Sequence, residues 1–543
     1  VLRLCRTSRP APFAAAAVLV ALTVAASAAS PTPATQWQLG SGSSPGTATS
    51  AAPSAASDAA LATAWALALS PNSTPEPATH LVPLVPIVGF WSDETTISRR
   101  ALADALEGPG SSGPGRSVAV SLGDRKGLHS IFGFWPQSEA LTPAGVRSFV
   151  RATPGALGIV RAEDVTPDVR ALAVNGIALF GIDRVHDLDD WPLLASEPGP
   201  PSSFSADQTW SLAAGGDVML DKAVYTQSVT KGLGADYAWD GSRAMIDKRY
   251  CCGWEGEPLV SGHRTGEKGQ VARIFRDAEL SMVNLESPEP DAFRHHSSGY
   301  VFTGDPALLQ GLVNAGIDLA GLANNHLGNG GPQGVTDTIR HLDELGIAHA
   351  GAGTSQADAR RPAWLQAGGL RVAVLAYSWI EPRSYSAAPG RPGSAWFSIS
   401  YVAHDIRAAR AAGADVVIVM PHWGLEYTDT VLPAQRAAAR AMIQAGADLV
   451  LGSHSHWVGP LEQISPGRFA FYSLGNLVFD WTHDERSQEG VVAVLTFAGS
   501  RLAQIDLQPT LIIQGQPNLL DRAGDGHAVL DPVRKASAPL LGW

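Results

Sequence analysis

The stretch ADVVIVMPHWGLEYTDTVLPAQRAAARAMIQAGADLVLGSHSHW, residues 414–457, decides the fold. It opens on an apolar, β-branched run (VVIVM), crosses an alanine-rich segment with helical spacing (PAQRAAARAMIQAG) and returns to a second apolar run (LVL). Gly446 stands where a left-handed residue ends a helix. Strand, helix and strand in that order predict an α/β core with largely parallel strands. Each strand closes on metal-binding side chains, His422 after the first and His454 with His456 after the second. In open α/β sheets, ligands sit at the carboxyl ends of strands.

Outward from this unit the pattern repeats. The runs SLAAGG, LSMVNL, IDLAGLA, LRVAVLAY and FAFYSL alternate with helical stretches such as GVTDTIRHLDELG and VAHDIRAARAAG, which Gly346 and Gly413 close. Asp217, Glu286, Asn325 and His326 end earlier strands, so with His422, His454 and His456 they are expected on one rim of the sheet. Taken singly, each has a bland reading: Asp217 as a helix cap, His422 as a packed histidine, Asn324 to His326 as a turn. Their joint occurrence at strand ends carries the inference. Oxygen and imidazole donors without thiolates suit Zn, Mn, Fe or Mg in a catalytic site rather than a structural zinc knot.

Composition frames the rest. The 543 residues are long enough for two or three domains, and 51 acidic against 39 basic residues give a net charge of -12. With no Lys/Arg-rich run, a nucleic-acid partner is not expected. Residues 1–28 read as a signal peptide: Arg3, Arg6 and Arg9, an apolar stretch from Phe13 to Ala25, then Ala26-Ser27-Ala28. An uncleaved anchor is the alternative; either way the protein is expected to be secreted or at the cell surface. Residues 29–80, rich in Ala, Ser, Thr and Pro, read as a flexible linker, and 81–200 as a small α/β domain of unknown role. There Asp124, Asp189 and Asp190 read as solvated turn carboxylates. Beyond Cys5, the cysteines are the adjacent pair Cys251 and Cys252, expected as thiols because a bridge between neighbours is strained.

The stretches GGDVML (215–220), VNLESP (283–288), GLANNHLGNGG (321–331), MPHWGLEY (420–427), LGSHSHWVGPLE (451–462) and YSLGNLVFD (472–480) together resemble the ordered motifs of the CapA family of bacterial capsule or poly-gamma-glutamate biosynthesis proteins. The resemblance covers 209–480 and leaves 481–543 as C-terminal strands and tail. That family is similar to calcineurin-like metallophosphoesterases, which implies a pair of β-sheets flanked by helices with a two-metal site. Carried over by position, Asp217, Glu286, Asn325, His422, His454 and His456 are implied metal ligands, Glu286 bridging. His326 is implied beside the leaving group. Met219 stands where those enzymes carry a histidine, and Glu286 where they carry aspartate, so the site is expected to hold two divalent ions unequally, or one.

The implied chemistry is metal-assisted hydrolysis, with His326 as acid and Asn324, Glu426 and Asn476 orienting the ligands. The expected substrate is an anionic polymer or a phosphoester, the polymer recognised locally by the metals and by arginines such as Arg383 or Arg391, and a capsule-synthesis membrane complex is a possible partner. The alternative is a non-catalytic scaffold of capsule polymer assembly or export.

Overall fold

The computed structural model describes residues 79–108, 115–198, 201–249, 259–380, 382–480 and 484–543. The expected signal peptide, nearly all of the linker, and Cys5, Cys251 and Cys252 lie outside them.

Two sheets face each other. The first has ten strands, with Arg501–Ile513, Glu489–Ala498, Thr209–Val218, Leu280–Leu285, Leu319–Gly321 and Ala348–Ala350 in spatial order, and Asn476–Val478 also paired with Thr209–Val218. The second has six, ordered Ala363–Ala367, Leu370–Ser378, Val416–His422, Leu449–Leu451, Arg468–Phe471 and Leu461–Ser465. Leu212, Ala214, Met282 and Leu319 of the first sheet share one core with Val372, Val374, Ile418 and Leu449 of the second. The alternate residues face outward. Ala213, Val283 and Ala320 pack with helices Gln270–Asp277, Gln310–Ala315 and Gly331–Leu345, and Ala373, Leu375, Val417 and Val419 with helices Ile399–Ala411 and Pro433–Ala445. Covering both faces of each sheet makes the strands read as continuous apolar runs instead of alternating ones.

The helix-ending glycines fall as expected. Gly346 and Gly446 are left-handed caps, and Gly413, also left-handed, follows the cap residue Ala412. Two features differ from the sequence reading. The site residues belong to two sheets and not to one rim, because the chain leaves the first sheet at Ala350 and starts the second at Ala363. The first sheet is also mixed: Thr209–Val218, Leu280–Leu285, Leu319–Gly321 and Ala348–Ala350 run parallel, whereas Arg243–Arg249 pairs antiparallel with Val260–Arg264, and Glu489–Ala498 with Thr209–Val218 and with Arg501–Ile513.

A smaller α/β part precedes this pair. Its strands run Glu139–Leu141, Val118–Ser121, Leu157–Arg161, Thr79–Gly89 and Val169–Ala171, with Leu194–Pro198 also on Thr79–Gly89. Leu84, Ile87, Leu102, Leu106, Val146 and Ile159 build its own core. The Ala171 N–H donates to the Gln504 side chain at 2.8 Å and the Gly181 N–H to Thr496 Oγ1 at 2.9 Å, joining it to the first sheet. Asp189 and Asp190 are exposed as expected. Asp124 is not: it is buried, with Oδ1 accepting from Arg161 Nε at 2.6 Å, because a paired carboxylate loses the penalty that keeps lone ones in water. Among the described residues no helix is long and apolar enough to cross a membrane.

Candidate metal centre

The carboxyl ends of the parallel strands converge between the sheets. Asp217 is the penultimate residue of Thr209–Val218, Glu286 follows Leu280–Leu285, and Asn324 to His326 follow Leu319–Gly321. From the second sheet come His422, the last residue of its strand, and the loop bearing His454 and His456. Asn476 opens the strand that lies against Asp217. Gly216 permits that approach, since a Cβ there would stand 1.9 Å from the Gly475 carbonyl oxygen, which accepts from the Asp217 N–H at 3.0 Å. His454 (φ 94°) and His456 (φ 58°) both occupy positive φ, a conformation costing about 1–3 kcal/mol and concentrated at functional sites.

The donor atoms crowd as an ion would arrange them. His422 Nε2 lies 2.8 Å from Asn325 Oδ1, 3.1 Å from His454 Nδ1 and 3.4 Å from Glu286 Oε1. One nitrogen cannot donate to all three. On the other flank, Asp217 Oδ2 is 3.4 Å from His456 Nδ1 and accepts from the His454 N–H at 3.3 Å. Glu286, His454 and His456 place ligand atoms within 4.8 Å of one another. Glu286 is wholly buried, yet among the described residues neither of its carboxylate oxygens has a hydrogen-bond partner. An orphaned buried carboxylate among imidazoles is a donor set whose O and N atoms fit a divalent ion.

The electrostatics agree. Burial, then the charge of Asp217, pushes the Glu286 carboxyl well above its ordinary value. Burial would depress His456, but Glu286 and Asp217 outweigh it and hold the imidazole at about 9. His454, facing other imidazoles, is lowered by burial and by His456 to about 3. Burial likewise lowers His326 to about 4. His326 Nδ1 lies 3.0 Å from Asn329 Oδ1, and Asn325 Nδ2 3.3 Å from His326 Nε2, which assigns the ring proton to Nδ1.

Asn324 and Asn476 sit where orienting groups are useful. Asn324 Oδ1 accepts from the His326 and Leu327 N–H groups, and its amide donates to the Leu285 carbonyl at 2.8 Å. Asn476 Oδ1 meets His456 Nδ1 at 2.9 Å, and its amide donates to the Ser487 carbonyl. Glu426 differs: it is exposed, and it reaches Glu286 through its charge. Met219 is buried with Phe302, Phe479 and Ile512, and the rings of Phe302 and Phe479 lie 4.6 Å from His326 and 5.1 Å from His456. An apolar wall thus stands at Met219, where the sequence resemblance would place an imidazole.

Sequence reasoning missed Asn284, Ser453 and Asn329. Asn284 Nδ2 donates to Asp217 Oδ1 at 2.8 Å, and Ser453 Oγ lies 2.8 Å from His422 Nδ1. Asn284 was within reach of a period-two argument, standing two places before Glu286.

The family described as "Bacterial capsule synthesis protein PGA_cap" matches residues 211–481. The "Capsule biosynthesis protein CapA" of Bacillus anthracis is 31% identical over 282 residues, 50% of this chain and 68% of that protein. The "PGA biosynthesis protein CapA" of Bacillus subtilis is 28% identical over 293 residues, 53% and 68% of the two chains. Among solved structures, the calcineurin-like phosphoesterase YfkN of Bacillus subtilis overlaps 60% of this chain and 97% of its own at 12% identity, with a TM-score of 0.29.

Proposed function

This chain belongs to the bacterial capsule synthesis protein family, and from that premise we propose that it is an exported hydrolase of an anionic capsule polymer such as poly-gamma-glutamate, working through a metal-dependent site. The observation that carries the reading is Glu286, buried without a hydrogen-bond partner among the nitrogens of His422, His454 and His456. Glu286, His454 and His456 would hold an ion, with Asp217, His422 and Asn325 completing one or two positions for Mn, Zn, Fe or Mg. When bound, a divalent ion supplies Lewis acidity and lowers the pKa of a coordinated water from about 16 towards 7.

The protein's own groups do the rest. Asn329 fixes the His326 ring with its proton on Nδ1, leaving Nε2 to exchange a proton with the substrate; a positioned acid or base contributes about 10²- to 10⁴-fold. Asn476 and Ser453 set the ring orientations of His456 and His422, and Phe302 and Phe479 keep water from that side. The basic start and short apolar stretch before Ala28 support export, with a capsule-synthesis membrane complex as a partner.

The test is elemental analysis of the purified chain beside a His454→Ala/His456→Ala variant, with a phosphomonoester, a phosphodiester and poly-gamma-glutamate offered to both. Near-stoichiometric metal and turnover in the native chain, both lost in the variant, are expected. A native chain that takes up no ion and turns over nothing would leave the scaffold role in polymer assembly.

A further inference from the structure

A groove of about 1020 Å³ opens between Trp379 with residues 383–401 on one side and helix Pro433–Ala445 on the other. Trp379, Trp396, Phe397 and Tyr401 line it, together with Arg383 and Arg391. Among the described lining residues these two arginines are the charged groups, and there is no carboxylate, in a chain whose net charge is -12.

Both cations are exposed and braced. The Arg383 guanidinium lies 4.7 Å from the centre of the Trp396 ring, and Arg391 donates from Nε and Nη2 to the Ser386 carbonyl at 3.3 and 3.1 Å. Trp379 stacks on Phe397 with ring centres 4.7 Å apart. A guanidinium held against a flat surface loses less freedom on meeting a carboxylate than a mobile one, and its planar fork matches that group.

The groove wall is hydrogen-bonded to the metal centre. The Trp379 N–H donates to the His422 carbonyl at 2.9 Å. Six residues on, the Tyr385 hydroxyl accepts from Asn329 Nδ2 at 3.4 Å, and Asn329 is the residue that fixes His326. One segment therefore forms the groove wall and props two site histidines.

We propose that this groove binds a segment of a carboxylate-bearing polymer, Arg383 and Arg391 pairing with its carboxylates and the aromatic walls covering its methylenes, while the chain extends to the metal centre. The proposal rests on the polymer reading above and gives it a binding surface separate from the ligands. Two cations are few for a polyphosphate or nucleic-acid backbone, whose binding takes a longer basic track. They suit a flexible chain whose charges sit at the tips of side chains.

The test uses the full chain and a labelled γ-linked glutamate oligomer, with fluorescence anisotropy at low salt and a γ-linked glutamine oligomer as the neutral control. Binding of the glutamate oligomer alone is expected. Arg383→Gln/Arg391→Gln should weaken it at least about tenfold, since two charge-assisted hydrogen-bond donors are lost. Arg383→Lys/Arg391→Lys should restore part of it. Metal content by elemental analysis should stay at the native level in both, because neither arginine is a metal ligand; the single variants carry the same comparison if the double variant melts early. Equal binding of native and double variant, or native protein that ignores the glutamate oligomer, overturns the groove. Native protein that binds the oligomer yet hydrolyses nothing overturns the hydrolytic reading and leaves the groove standing.

Discussion

The two facing sheets bring different chemistry to the same place. The first supplies the carboxylates of Asp217 and Glu286 and the amides of Asn284, Asn325 and Asn476, whereas the second supplies the imidazoles of His422, His454 and His456. Neither sheet alone holds a complete donor set. The contrast is sharpest at His454 and His456, two residues apart on one loop. At His456 burial is outweighed by the Glu286 and Asp217 carboxylates of the first sheet, which raise it to about 9; His454 is lowered to about 3 by burial first, then by the His456 and His326 imidazoles. The distribution of charge between the sheets, more than the residue type, sets how each histidine titrates.

If both sheets are needed, a ligand taken from either should cost the same. Glu286→Gln from the first sheet and His454→Ala from the second are each expected to cut turnover by more than about 100-fold, beyond the 10- to 100-fold typical of an outer partner. A variant that keeps its ion and its rate would break the symmetry. Added Mn or Zn should also join the sheets: at a hundred times its Kd an ion stabilises the fold by about 2.7 kcal/mol. Differential scanning calorimetry should show this gain in native protein and not in either variant.

Outer groups come next in size. Asn476→Ala, from the first sheet, and Ser453→Ala, from the second, should each weaken ion affinity about 10- to 100-fold, read by competition with a chelating dye. The smallest effect is in pH. With chelator present, His326 at about 4 and His454 at about 3 are neutral in the fold, so the stability they confer is present above their unfolded value of about 6.5 and is lost as pH falls towards their folded values. His456 has the opposite sign: raised to about 9, it stabilises below about 6.5 and loses that contribution as pH rises towards 9. Melting temperatures should fall on both sides, and His456→Gln should remove the alkaline fall alone.

Much of this was legible in the chain. Strand-ending side chains betray themselves because an apolar run followed by a ligand-type residue is local information, and Asp217, Glu286, Asn325, His326, His422, His454 and His456 all come within one inter-sheet space. The assignment of strands to sheets was not local. Nothing between Ala350 and Ala363 states that the chain changes sheets, and the pairing of Glu489–Ala498 with Thr209–Val218 links segments far apart in sequence. Asp124 was misread because its burial depends on Arg161, whose strand the sequence cannot place beside it. Glu426 shares a motif with His422, but the turn after Trp423 carries it into solvent.

That distant pairing governs the order in which the molecule can be made. The strand bearing Asp217 sits between Leu280–Leu285 and the much later Glu489–Ala498, with Asn476–Val478 beside its end. A chain emerging from the ribosome holds Asp217, Glu286 and His326 long before it holds the strand that completes their sheet. Contacts of such long sequence separation form slowly and leave unpaired edges exposed meanwhile. Truncation before residue 489 would therefore leave every ligand in the polypeptide while the Thr209–Ala214 end of the strand that carries Asp217 lacked its antiparallel partner, so completion of the sheet behind the centre is a late event in biosynthesis.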